Sequence, residues 1–121
     1  MVVQNTILTQ LETAAITSIS NTITHVAVGS GTTTPDATQT QLVSEDYREA
    51  LFTSSSTPNT FTTALYLDVT ENNTNTVAEI GAFNSSSGGT MVSRNLTTPA
   101  TKTSSKEMYF DIKYTVDAIN N

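Results

Sequence analysis

Between residues 60 and 69 the side chains alternate without a break. Phe61, Thr63, Leu65, Leu67 and Val69 fall on one side, and Thr62, Ala64, Tyr66 and Asp68 on the other. A period of two is the pattern of an antiparallel strand with one buried face. Residues 106–116 repeat it: Met108, Phe110, Ile112, Tyr114 and Val116 alternate with Glu107, Tyr109, Asp111, Lys113 and Thr115. A slip of one residue would carry all of those apolar groups to solvent, so the register is firmly specified. Shorter alternations predict strands over 22–28, 42–52, 77–83 and 90–96. Between them lie Gly-, Pro-, Asn- and Ser-rich stretches at 29–36, 54–59, 71–76, 84–89 and 97–105, which read as turns and connections. In residues 22–28, Thr22, Thr24, Val26 and Val28 face one way and Ile23, His25 and Ala27 the other.

Only residues 3–16 carry a helical period. Val3, Ile7, Leu8, Leu11 and Ala15 recur at steps of three and four, with no Gly or Pro to interrupt them. Such a helix either closes one end of the core or serves as an arm that docks on a neighbour. The sequence thus predicts two parts: residues 1–20 as an N-terminal helical arm or docking segment, and residues 21–121 as a β domain. The fold class is all-β, an antiparallel β-sandwich, jelly-roll-like, of about six to seven strands with a short N-terminal helix.

Composition strengthens this reading. The chain has 121 residues, enough for one core. Its polar surface comes from 25 Thr, 13 Ser and 10 Asn rather than from charge, which is only 13% of residues. Thr is β-branched and suits a pleated surface, while Ser and Asn suit turns. Alternating apolar runs separate the chain from disordered polar sequences. Five Lys and Arg against eleven Asp and Glu leave a net charge of -6, which argues against nucleic acid and against an anionic membrane surface as partners. No apolar run approaches a membrane span, and residues 1–11 lack the basic and apolar regions of a signal peptide. With no Cys, disulfides, thiolate chemistry and Cys-based metal sites are excluded.

Candidate chemistry is sparse. Gly29-Ser30-Gly31 follows a strand, but position 34 is Thr and no G-K-[ST] follows, so neither nucleotide-binding pattern is met. His25 is the sole histidine, with no nucleophile motif beside it, and reads as a surface or subunit-contact residue. Glu45, Asp46 and Glu49 cluster around Arg48 without the spacing of a calcium loop, which fits a solvated polar segment. No catalytic, cofactor or metal residues are therefore expected, and the chain reads as a non-enzyme.

Residues 23–35, with Ala27-Val28-Gly29-Ser30-Gly31-Thr32-Thr33-Thr34-Pro35, and residues 40–48, with Leu42 and Glu45-Asp46-Tyr47-Arg48, form one motif. Glu79-Ile80-Gly81-Ala82-Phe83-Asn84 with Gly88-Gly89-Thr90-Met91-Val92-Ser93-Arg94 forms a second, and Lys102-Thr103-Ser104-Ser105 a third. In this order they resemble small tail-fibre, tail-collar-like and other structural proteins of tailed phages and archaeal viruses, over roughly residues 20–116. The resemblance implies a virion component assembled in a host cytoplasm: a capsid decoration, turret or collar subunit rather than a full fibre with shaft and tip. Its partners would be its own copies, as a trimer to hexamer, and other virion proteins of the capsid, portal or tail. Assembly candidates are Ile7, Leu8, Leu11, His25, Tyr47 and Arg48. The alternative is a receptor- or carbohydrate-binding module of a tail fibre. Without Trp, sugar stacking would fall to Tyr47, Tyr66, Tyr109 or Tyr114, of which Tyr114 reads as core.

Overall fold

The computed structural model describes residues 5–117, with side chains from residue 9 onward. Helix α1 (Asn5–Thr22) leads into seven strands: β1 (His25–Gly29), β2 (Glu45–Ala50), β3 (Thr53–Thr57), β4 (Thr60–Leu67), β5 (Thr76–Phe83), β6 (Met91–Thr101) and β7 (Met108–Thr115). They form two antiparallel sheets, one of four strands in the order β2-β1-β5-β6 and one of three in the order β3-β4-β7. The expected β-sandwich with an N-terminal helix is the observed fold.

The core lies between the sheets and is built from the predicted alternations. Val26 and Val28 of β1 and Val77 and Ile80 of β5 meet Leu65, Leu67 and Ile112 from the smaller sheet. A register shift between Val77 and Glu79 marks a bulge at Ala78, which brings Val77 and Ile80 into the same cluster although they lie three apart.

The helix differs from expectation in extent and in which side it buries. It runs to Thr22, not to 16, and its packed residues are Ile16 and Ile19 with Ile23 just beyond, against Phe61, Ala82, Tyr114 and Val116. Leu11, on the predicted stripe, is 58% exposed. The Thr- and Ser-rich last turns remain helical because their hydroxyls bond back to the preceding turn: Thr17 to Thr13 O, Ser20 to Thr17 O and Thr22 to Ser18 O. Thr13 Oγ1 donates to Pro58 O, tying the middle of the helix to the β3–β4 turn. The C-terminal half of α1 thus closes one end of the sandwich.

The strand expected over 22–28 begins only at His25, because Thr22 belongs to the helix, and three other strand regions differ more. Residues 42–52 hold the short β2, after which the chain changes sheets: Leu51 N donates to Thr24 O beside β1, and Phe52 N donates to Ala64 O of β4. Residues 54–57, expected as turn, belong to edge strand β3, and the turn is Pro58-Asn59. β3 is all Thr and Ser and fully exposed, so no apolar alternation marks it. β6 continues to Thr101 through a stretch expected to be a connection, with Pro99 tolerated because β6 is an edge.

Residues 30–44 add a third layer. They fold back over the outer face of the larger sheet, where Leu42 packs with Ala27, Phe83 and Met91. β1 and β5 are accordingly buried on both faces.

Candidate functional site

The outer face of the larger sheet holds a clamp for the 30–44 connection. Cross-strand register sets Glu79 opposite Gly29, and Gly81 opposite both Ala27 and Arg94. The Glu79 carboxylate is fully buried and each oxygen accepts two bonds. Oε1 takes the amides of Gly31 at 3.0 Å and Ser44 at 2.7 Å; Oε2 takes the amide of Val43 at 3.1 Å and Arg94 Nε at 2.6 Å. Arg94 Nη1 reaches on to Thr33 O at 2.7 Å and Gln39 Oε1 at 3.2 Å. One ion pair therefore grips both ends and the middle of the connection. Burial pushes the Glu79 pKa up, but the bonds from Ser44, Arg94, Val43 and Gly31 outweigh it and hold the carboxyl below its ordinary value.

The glycines of the first motif make room for this carboxylate. A Cβ on Gly31 would stand 2.6 Å from Glu79 Oε1 and 2.6 Å from Val43 Cβ. No other residue lets the backbone approach so closely.

A second clasp joins β2 to the β5–β6 hairpin. Arg48 lies with its guanidinium carbon 3.6 Å from the centre of the Phe83 ring. It pairs with Glu45 at 2.6 Å and donates through Nη1 to Ser85 O and Gly88 O, both at 3.0 Å. Gly88 and Gly89 supply the positive φ of that hairpin. A third anchor is Lys102, fully buried, whose Nζ donates to Asn73 Oδ1 at 2.9 Å and Thr103 O at 3.0 Å. It holds the 72–75 turn, where Asn72 and Thr74 adopt positive φ.

At the β2 side of the sandwich, the Tyr47 hydroxyl lies 3.1 Å from Glu49 Oε2 and 2.5 Å from Glu71 Oε2. Burial, then the hydrogen bond and charge of Glu71, push the Glu49 carboxyl up to about 7. Burial and the Glu71 bond raise the Tyr47 phenol as well. Glu71 is held low, because bonds from Tyr47, the Asp68 amide and Glu49 overcome its burial. Glu49 is thus the proton-holding member of the pair.

The structure places the assembly candidates in different settings. Ile7 and Leu8 lie in the helix backbone, with side chains outside the described residues. Leu11 projects into solvent. His25 starts β1, half-buried, with Nδ1 2.8 Å from Thr24 Oγ1. Tyr47 and Arg48 are committed to partners within their own chain, as above. Sequence reasoning assigned no role to Glu79, Arg94 or Lys102. The available signal was a lone Glu inside the apolar run Val77-Ala78-Glu79-Ile80, which requires a buried partner.

Among the described residues no group of three or more His, Asp or Glu side chains is placed to hold a metal ion. Two shallow depressions, of about 380 and 420 Å³, flank the clamp. The first is lined by Asp36, Gln39 and Arg94, the second by Glu45, Arg48 and Phe83; Arg94, Glu45 and Arg48 are engaged in the clamps, and the Asp36 carboxylate accepts from the amide and hydroxyl of Thr38. No protein-family model matches the chain, and a search of curated proteins returns no match.

Proposed function

We propose that the protein is a structural component of a tailed virus particle, a capsid decoration, turret or tail- or collar-associated subunit. It acts by assembling with its own copies and docking on other virion proteins. The observation that carries this reading is the use made of the motif residues. Gly29, Gly31, Val43 and Ser44 of the first motif meet Glu79 and Arg94 of the second in one clamp, and Arg48 of the first grips the hairpin of the second. Lys102 of the third locks a neighbouring turn. Glu45, Arg48, Glu79, Arg94 and Lys102 of these motifs are all bonded within the fold.

The smaller sheet supports self-assembly. β3 and β7 are its edge strands, unpaired on their outer sides among the described residues, and β3 has no charge or Pro to block pairing with another chain. Symmetric copies can bury such surfaces over the roughly 1,000 Å² that a stable contact needs. The test is the native mass by light scattering over a wide concentration range. A discrete trimer to hexamer is expected; a monomer throughout overturns the self-assembly reading.

A further inference from the structure

The outer face of the smaller sheet carries an aromatic cluster that no described residue covers. Phe52 is 58% exposed and Tyr109 is 51% exposed, and half-buried Tyr66 shares their face. The Phe52 ring sits 5.1 Å from that of Tyr66, tilted by 39°, and 6.0 Å from that of Tyr109, edge-on at 89°. Cross-strand register places Tyr66 opposite Tyr109 and Ala64 opposite Asp111, so the rings and the carboxylate share one face. Phe52 and Tyr109 keep about half of their surface open to solvent on this face.

The rim of this cluster is negative. Glu107 bonds to and raises the Tyr66 phenol, with Asp68 and Glu71 adding to the effect. At Tyr109, burial and then the charge and bond of Asp111 act in the same direction. Two cations adjoin this face, Lys113 two residues beyond Asp111 on the same side of β7 and Lys106 directly before Glu107. Of the chain's five Lys and Arg, Arg48, Arg94 and Lys102 are spent inside the clamps, which leaves Lys106 and Lys113 on the surface. The net charge is -6, so a second copy would bring like charge to this face.

We propose that the Phe52–Tyr66–Tyr109 face docks a basic protein partner, whose arginine or lysine side chains seat against the rings between Asp68, Glu107 and Asp111. Aromatic faces attract such cations through their quadrupoles, and the acidic rim adds attraction and steers the encounter. Self-assembly through the strand edges and docking through this face use different surfaces. Either can fail while the other holds.

The experiment uses the full chain with ¹³C-labelled aromatic residues, read by NMR, and titrates it with acetyl-triarginine amide. Its citrulline counterpart, a methyl glucoside and the protein's own concentration serve as comparisons. Saturable shifts at Phe52, Tyr66 and Tyr109 are expected with the arginine peptide, weakened several-fold between 0.05 and 0.5 M salt, on the order expected from screening. Phe52→Leu and Tyr109→Leu keep apolar area but lose the ring, and together they should weaken binding about tenfold. The proposal is overturned if the rings do not respond to the arginine peptide or respond equally to citrulline. It is also overturned if they respond only to the glucoside or to added copies of the chain, or if the Leu variants bind as tightly as the parent.

Discussion

Gly29 and Glu79 stand opposite one another on β1 and β5, and a Cβ on the glycine would lie 2.6 Å from Glu79 Oε1 and 2.1 Å from Ser44 O. The glycine's missing side chain is the space that the carboxylate and the folded-back connection occupy. Gly29→Ala must therefore displace backbone, and a loss of about 2–3 kcal/mol is expected from overpacking alone. Gly88 gives the contrast. A Cβ there meets nothing within 4 Å, and only its φ of +57° opposes substitution. Gly88→Ala should cost about 1 kcal/mol. Urea unfolding of the two variants checks the order, and equal losses would mean that the clamp does not hold the connection as described.

The Glu79–Arg94 pair should behave as a buried ion pair whose halves cannot be removed singly. Glu79→Gln leaves the Arg94 guanidinium uncompensated at 2% side-chain exposure, which costs about 3–5 kcal/mol. Adding Arg94→Leu to Glu79→Gln removes the stranded charge, so the double variant should lose less than the sum of the single losses. Hydrogen exchange gives a local readout. The amides of Gly31, Val43 and Ser44 should lose protection in Glu79→Gln, while Leu65 and Ile112 in the core should change only with global stability.

The two sides of the helix can be separated by substitution. Ile16 is 2% exposed against Phe61 and Ala82, so Ile16→Ala should cost about 2–4 kcal/mol. Leu11→Ser, on the solvent side, should stay within about 0.5 kcal/mol. If the N-terminal half of α1 docks on a neighbour, Leu11→Ser will instead lower the native mass without moving the unfolding midpoint. Deleting residues 1–20 cannot make this distinction, because it removes Ile16 and Ile19 from the core as well.

What was legible in the chain follows from how each element is stabilised. β4 and β7 were readable because one face is apolar and the other polar, so burial writes itself into alternation. β3 was not, because an edge strand of Thr and Ser buries no side chain and is defined by backbone pairing to β4 alone. The end of α1 was hidden by Thr17, Ser20 and Thr22, whose weak helix propensity is offset by side-chain bonds and by Ile16, Ile19 and Ile23 packing on the sheet. The clamp was visible only as fragments: two glycines, one Glu in an apolar run and one Arg in a hydroxyl-rich strand. Their convergence depends on the 30–44 connection folding back over the sheet, a tertiary event with no periodic trace. Tyr66 and Tyr109 stood among the possible stacking residues, but Phe52 did not, for the same reason. Phe52 sits in the crossover between sheets, and only the fold brings it to Tyr66 and Tyr109.

The pH dependence of stability should carry two opposite signs. Glu79 is held below its ordinary value, so its contribution is present above about pH 4.5 and is lost as the pH falls through its folded pKa. Glu49 does the reverse. Its folded pKa of about 7 lies above the ordinary 4.5, so the folded state holds a proton that the unfolded chain has released. Stability from this group is complete below pH 4.5, declines from there to about 7 and is flat beyond. Partial solvent screening limits the total decline to about 1–2 kcal/mol. Glu49→Gln keeps a hydrogen-bond donor beside Glu71 while removing the titration. At pH 8 this variant should therefore be more stable than the parent, and at pH 4 the two should match. Chemical denaturation at both pH values measures the difference, and a variant that is less stable at pH 8 would show that Glu49 acts there as a stabilising carboxylate.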